Sequence, residues 1–330
     1  MSDLLELFTK INKIASDGKD IMSFSAMAVP GFKDRHLGRD ANDSPVILLK
    51  TEMPKKIPAN YALENLRVEY CAECRIIDSK GNESRGVFTI ICCLSDDDGL
   101  KAYFLRVMDS IINALPSDIK NEDISYAIDR LAALFLALKK PRSKPVRGLW
   151  AELFLINSAK NPYQMLEAWH NDLSEHFDFS QRASRIEVKS TGDRIRDHYF
   201  SLEQVYPAAG VSVVIASLFV EECTNGCSLS ELWDKARQAA KNNLDLRLKV
   251  DKICVETLGS DWEQARSLSY DMRLAKQSLK FYRVEDIPKV SDNLPSGVSE
   301  VRFRSDLSGV TALDIDSSSN GYIYIYYGKE

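Results

Sequence analysis

Apolar and polar positions follow two different periods along the 330 residues, and the points where the period changes divide the chain. Residues 2–11, SDLLELFTKI, place apolar side chains at helical spacing behind a Ser/Asp cap, which predicts a short N-terminal helix. From about Met22 to Leu94 the pattern becomes strand-like. VILLKTE, LRVEYCAECRII and GVFTIICCL are β-rich runs separated by turn formers, and DSKGNE stands where a hairpin would join the second to the third. After SDDDG, the segments LKAYFLRVMDSIINAL and DISYAIDRLAALFLAL repeat apolar residues at i, i+3, i+4 and i+7. Both are long enough to be helices, and they are expected to cover one face of that sheet.

KKPRSKPVRG interrupts the pattern with five basic residues, two prolines and no acid, so the helix before it must end. A domain boundary is expected near Pro141, dividing the chain into 1–140, 141–250 and a C-terminal extension, 251–330. The basic stretch reads either as a solvated linker or as a strap that touches phosphates. Beyond it, RGLWAELFLINSA predicts a helix through Leu149, Leu153 and Ile156, and QMLEAWH reads as a strand. HFDFSQRASRIEVKST predicts two strands joined by SQRAS, with Asp178 at the end of the first. YFSLEQVY predicts a short helix behind a serine, VSVVIASLFV a fully buried strand, and LSELWDKARQAAKNNLDLRL one capped amphipathic helix. The last stretch reads as short strands and turns, with GYIYIYYG as an edge strand. The expected class is α/β, a mixed sheet flanked by helices and preceded by an α+β N-terminal domain.

With 45% apolar residues the chain can bury a large core. Its net charge of −5 excludes a protein that coats nucleic acid through its whole surface, so any such contact needs a local basic patch. The longest apolar run, residues 211–220, is well short of the roughly 20 that a membrane-spanning helix needs, and no basic leader precedes an apolar stretch. A soluble, cytoplasmic protein with no membrane partner is expected. Seven cysteines, an odd number partly set in apolar strands, read as reduced thiols. Cys71 and Cys74, and likewise Cys223 and Cys227, read as strand and turn residues because no second ligand pair follows at zinc-finger spacing.

The pattern of IEVKS carries the one specific chemistry. Alternation puts Glu187 and Lys189 on one face of a strand, with Ile186 and Val188 on the other. Asp178, Glu187, the carbonyl of Val188 and waters would suit a magnesium ion, and Lys189 would orient a water and stabilise charge at phosphorus. D/E-x-K occurs four times in the chain, starting at Asp17, Asp78, Asp118 and Glu187. The fourth alone lies in an apolar alternating strand with an acid-bearing strand before it. Glu152 falls within an otherwise apolar helix surface, either as an exposed glutamate or as an acid with a role. Gln204 reads either as a solvated residue or as one that reaches a phosphate or the attacking water. Arg182, Arg185, Arg194, Arg196 and His198 form a basic neighbourhood suited to phosphates, or else a mixed-charge loop with Asp193 and Asp197.

Through GLWAELFLI, EAWH, FDF, IEVKST and FSLEQV, in that order, residues 148–204 resemble the bacterial PD-(D/E)XK motif protein family of the restriction-endonuclease-like superfamily. FYRVEDIPKV and LPSGV extend the resemblance through most of the chain, and Phe177 stands where the superfamily's name has a proline. The resemblance implies an α/β nuclease core and DNA cleavage with Mg²⁺ or Mn²⁺, in a multi-gene phage-defence or restriction cluster whose other subunits would be partners. It implies metal binding by Asp178 and Glu187, a catalytic Lys189, a helical acid in Glu152 and a downstream polar residue in Gln204. His170 of EAWH occupies a familial string without an assigned role. A catalytically inactive DNA-binding or assembly subunit is the alternative. Cutting both strands would favour a homodimer or two successive binding events.

Overall fold

A computed structural model describes residues 3–12, 22–51 and 57–313. The chain divides into two compact units, Met1–Leu136 and Ala137–Glu330.

The first unit opens with α1 (Leu4–Phe8), half the length its pattern predicts, capped by Asp3 through the Leu5 N–H at 3.1 Å. Six strands follow: β1 (Ser23–Ala28), β2 (Arg35–Arg39), β3 (Pro45–Leu49), β4 (Tyr61–Leu63), β5 (Leu66–Ile77) and β6 (Glu83–Cys93). They lie in the order β1-β2-β3-β6-β5-β4, and β1 also pairs in parallel with the far end of β5, Ser23–Ser25 against Arg75–Ile77. That extra pairing closes β1, β2, β3, β6 and β5 into a small barrel. Its interior is filled by Phe24, Ala26, Val46, Leu48, Cys74, Ile76, Phe88, Ile90 and Cys92. Gly38 sits on β2 where a Cβ would meet Ser25 O at 3.1 Å and Ala26 Cβ at 3.2 Å, so the β1–β2 approach favours the smallest residue. Outside the barrel, α2 (Asp98–Ala114) and α3 (Asn121–Ala137) lay Met108, Ile111, Ile124, Ile128 and Leu131 against Leu49 and Ile91. Buried Arg35 donates to the carbonyls of Ile112, Leu115 and Pro116, closing the C-terminal end of α2.

The second unit contains α4 (Val146–Ser158), α5 (Pro162–Ala168), β7 (Phe179–Gln181), β8 (Ser184–Thr191), β9 (Asp197–Ser201), α6 (Leu202–Val205) and β10 (Ser212–Phe219). Then come β11 (Glu222–Ser228), α7 (Leu229–Ala239), α8 (Leu244–Leu258), α9 (Trp262–Arg266), β12 (Ser269–Tyr270), α10 (Met272–Ser278), β13 (Lys280–Arg283) and β14 (Arg302–Asp306). The central sheet has the order β13-β10-β8-β7, with β8 and β10 parallel and both outer pairs antiparallel. It is a mixed α/β arrangement. Helix α4 packs on β8, and α5, α7 and α8 pack on α4. On the opposite face, Phe200, Val205, Val213, Ile215, Tyr282, Val284, Ile287 and Leu307 form one apolar cluster beneath β9, α6 and β14. Register pairs Ile215 with Glu187, so the acid-bearing face of β8 is the face that this cluster covers.

Three expectations change. QMLEAWH is not a strand: Asn161 accepts the Gln164 N–H at 3.3 Å, Pro162 occupies the first helical turn, and a helix runs to Ala168. LSELWDKARQAAKNNLDLRL is two helices, broken where Lys241 takes φ 54° and Asn243 begins a new cap by accepting from Leu246 N–H. Asp178 does not end a strand; it immediately precedes β7. GYIYIYYG lies outside the described residues. Among the described residues, no helix is long and apolar enough to cross a membrane.

Candidate metal centre

Strand β8 supplies two neighbours by simple alternation. Lys189 Nζ donates to Glu187 Oε1 at 2.7 Å, which places both on one face as the period of two requires. Between them, the Val188 N–H points toward the hairpin partner and donates to Asp178 Oδ2 at 2.7 Å. The hairpin is tight, with Arg182 at φ 52° turning β7 into β8, so Asp178 returns beside the strand that carries Glu187.

Gln204, on the short helix α6, joins the pair from the following element. Its Nε2 donates to Glu187 Oε1 at 2.6 Å and to the His176 carbonyl at 3.2 Å. Its Oε1 accepts from Lys189 Nζ at 3.1 Å and from the Ser201 N–H at 3.2 Å. An amide engaged on four sides has a fixed orientation, so in this geometry Gln204 acts on Glu187 and Lys189 instead of reaching freely into the site.

Glu152 enters from α4. It is 6% exposed, and Oε2 accepts the Trp169 indole N–H at 2.7 Å and lies 3.2 Å from His170 Nε2. The reading as a solvated glutamate is excluded. Glu152, His170 and Asp178 each offer a ligand atom, and these atoms lie within 4.8 Å of one another. His170 is brought there by backbone: its N–H donates to the Asp178 carbonyl at 2.9 Å, and Trp169 bridges Phe179. Trp169 and His170 are the residues that pattern reasoning left without a role. Their signal was an apolar tryptophan next to a histidine just past a capped helix end.

The electrostatics follow from the burial of Asp178 within reach of the charges of Glu187 and Glu152. Burial raises the Asp178 carboxyl well above its ordinary range, and Glu187 and Glu152 raise it further, against the lowering effects of the Val188 N–H and Lys144. Burial pushes Glu152 up too, but the hydrogen bond and charge of His170, then Lys144 and the Trp169 N–H, together hold it below its ordinary value. Lys144 belongs to the basic connector, so that stretch is near enough to act on both acids. The connector is also clamped: Ser143 N–H donates to the Thr257 carbonyl at 3.0 Å, and Ser260 N–H to that of Lys140 at 2.8 Å.

Much of the expected basic neighbourhood has other work. Arg196 is buried and donates to Ser217 Oγ and carbonyl at 2.8 Å and to the Ser278 carbonyl, with its guanidinium 4.6 Å from the Phe219 ring centroid. His198 is buried with Nε2 at 2.8 Å from the same Ser217 hydroxyl. Arg194 forms a two-pronged pair with Glu221, at 2.5 and 2.8 Å. Arg185 donates to the carbonyls of Arg182 and Ser184. Alternation explains the error: on β9, residues 198 and 200 face the core while 197, 199 and 201 do not.

A family model described as "Putative PD-(D/E)XK family member (DUF4420)" matches residues 7–308. No curated protein and no solved structure matches the chain.

Proposed function

The chain belongs to this PD-(D/E)XK family over nearly its whole length, and on that premise we propose that it is a metal-dependent nuclease hydrolysing phosphodiester bonds of DNA. The observation that carries the reading is the meeting of Glu187, Lys189 and Gln204 on one side of β8 with Asp178 fastened to the same strand's backbone. Four separate elements contribute, since Glu152 arrives from α4.

The donor set suits a divalent cation. Glu152, His170 and Asp178 offer ligand atoms within 4.8 Å of one another, and Glu187, outside that group of three, is near enough that its charge adds to burial in raising Asp178. Asp178 and Glu187 would hold Mg²⁺ or Mn²⁺ there, which would supply an acidified water and Lewis acidity at the phosphate. Lys189 has three ammonium donors, of which Glu187 and Gln204 take two. The third serves to orient the water or a phosphate oxygen as negative charge grows. Gln204 keeps the ammonium and the Glu187 carboxylate in fixed relation. Glu152, oriented by Trp169, offers a further carboxylate oxygen beside Asp178.

We further propose that the protein works with other subunits of an anti-phage defence or restriction system. This setting is supported by the family strings of residues 148–204. A homodimer would serve to cut both strands of a duplex.

The test is cleavage of plasmid and phage DNA by the purified protein, alone and with its gene neighbours, in Mg²⁺ or Mn²⁺. Lys189→Ala should lower the rate by about 10²- to 10³-fold. Equal cutting by wild type and Lys189→Ala would overturn the assignment.

A further inference from the structure

We propose that His170 is a ligand of the bound cation, and that the centre therefore prefers a transition-metal dication, represented by Mn²⁺, over Mg²⁺. This inference rests on reading the site as a metal centre and goes beyond it in naming a nitrogen ligand and a metal class.

Two independent observations support it. First, ligand atoms of Glu152, His170 and Asp178 lie within 4.8 Å of one another, close to the span of ligands on opposite sides of one ion with bonds of about 2.1 Å. Second, the His170 ring is only 3% exposed; its Nε2 is engaged with Glu152 Oε2 at 3.2 Å, whereas its Nδ1 has no hydrogen-bond partner and is the nitrogen left for a ligand. A buried ring nitrogen without a partner costs about 1–3 kcal/mol, so the fold retains this imidazole against a penalty.

The surroundings hold the ring in place. The backbone N–H of His170 donates to the Asp178 carbonyl at 2.9 Å, which ties the two candidate ligands together through the main chain. Lys249 of α8 donates to the carbonyls of Leu166, Glu167 and Trp169, fixing the end of α5 from which His170 emerges. The Trp169 N–H at 2.7 Å orients the Glu152 carboxylate. Such outer contacts are what a metal ligand set needs to keep its aim.

The metal preference follows from ligand type. Mg²⁺ prefers an all-oxygen shell and gives up water reluctantly, whereas an imidazole nitrogen favours first-row transition metals. The carboxylates of Glu152 and Asp178 with the imidazole of His170 suit Mn²⁺ better than Mg²⁺.

The experiment uses the full-length protein with Mn²⁺ alone and Mg²⁺ alone, without DNA. Calorimetry should give at least tenfold tighter binding of Mn²⁺. Pulsed electron paramagnetic resonance of the Mn²⁺ form, prepared with ¹⁵N-histidine, should reveal coupling to one histidine nitrogen. His170→Gln should remove that coupling and weaken Mn²⁺ binding at least tenfold while changing Mg²⁺ binding less than threefold. Wild-type protein that binds Mn²⁺ without nitrogen coupling, or binds no Mn²⁺, would overturn the proposal whether or not the variant folds. DNA cutting is scored separately: nitrogen coupling without cutting leaves the ligand assignment standing and removes the nuclease reading. Cutting without coupling does the reverse.

Discussion

Gln204 Nε2 and Glu187 Oε1 meet at 2.6 Å, joining a one-turn helix to the central strand of the site. The same amide receives the Lys189 ammonium, so Gln204 sets the distance between acid and base on β8. Gln204→Ala should leave the fold intact and slow DNA cleavage by about 10- to 100-fold, as loss of a supporting contact commonly does. Single-turnover cleavage with saturating Mn²⁺ measures it; Gln204→Glu should fail to rescue the rate, because a carboxylate cannot donate to Glu187.

His198 supplies a pH dependence of stability. Burial first, then Lys189 and Arg196, together lower its folded pKa to about 4 against the opposite pull of Asp306. The unfolded histidine titrates near 6.5, so between about pH 6.5 and 4 the unfolded chain binds the extra proton. Stability from keeping this ring neutral is complete above about pH 6.5 and is lost as pH falls through about 4. The full effect is on the order of 3 kcal/mol. Urea unfolding at pH 7.5 and 4.5 should therefore show a shallower loss for His198→Gln than for wild type.

Gly259 holds the basic connector against the end of α8. Its φ is 53°, and a Cβ there would lie 2.1 Å from the Lys140 carbonyl oxygen and 2.8 Å from Pro141 C. Gly259→Ala should destabilise the protein by at least about 2 kcal/mol, the left-handed conformation and the clash acting together. Chemical denaturation gives the loss, and faster trypsin cleavage within 139–147 would locate it.

Lys249 lies across the end of α5, and burial lowers its ammonium to about 8. Lys249→Met keeps much of the apolar stem but leaves the carbonyls of Leu166, Glu167 and Trp169 without their donor. A loss of about 1–3 kcal/mol is expected in urea unfolding. Faster amide exchange at residues 165–170 would place the effect at the helix end.

Local rules reached the site further than they reached the fold around it. The period of two in IEVKS is enough to put Glu187 beside Lys189, and the structure joins them at 2.7 Å. A short apolar run such as QMLEAW fits strand or helix equally, and the deciding signal was Asn161-Pro162 before it, a cap and a first-turn proline. The charges of Arg196 and His198 were legible, but their burial was not, because it depends on Ser217 and Ser278, which lie 19 or more positions away. Closure of the barrel was hidden for the same reason. SFSAMA and RHLGR are short and partly polar, and β1 finds β5 some fifty residues later.

Strand β5 bears on how the first unit can meet other chains. One of its edges is occupied by β6, and the other is shared by β4 near its start and β1 near its end. A strand whose backbone donors and acceptors are so largely taken offers little template for an incoming peptide to extend the sheet. Among the described residues, the strand at the end of this order is the three-residue β4, so a partner that extended the sheet would have to add there and not along β5.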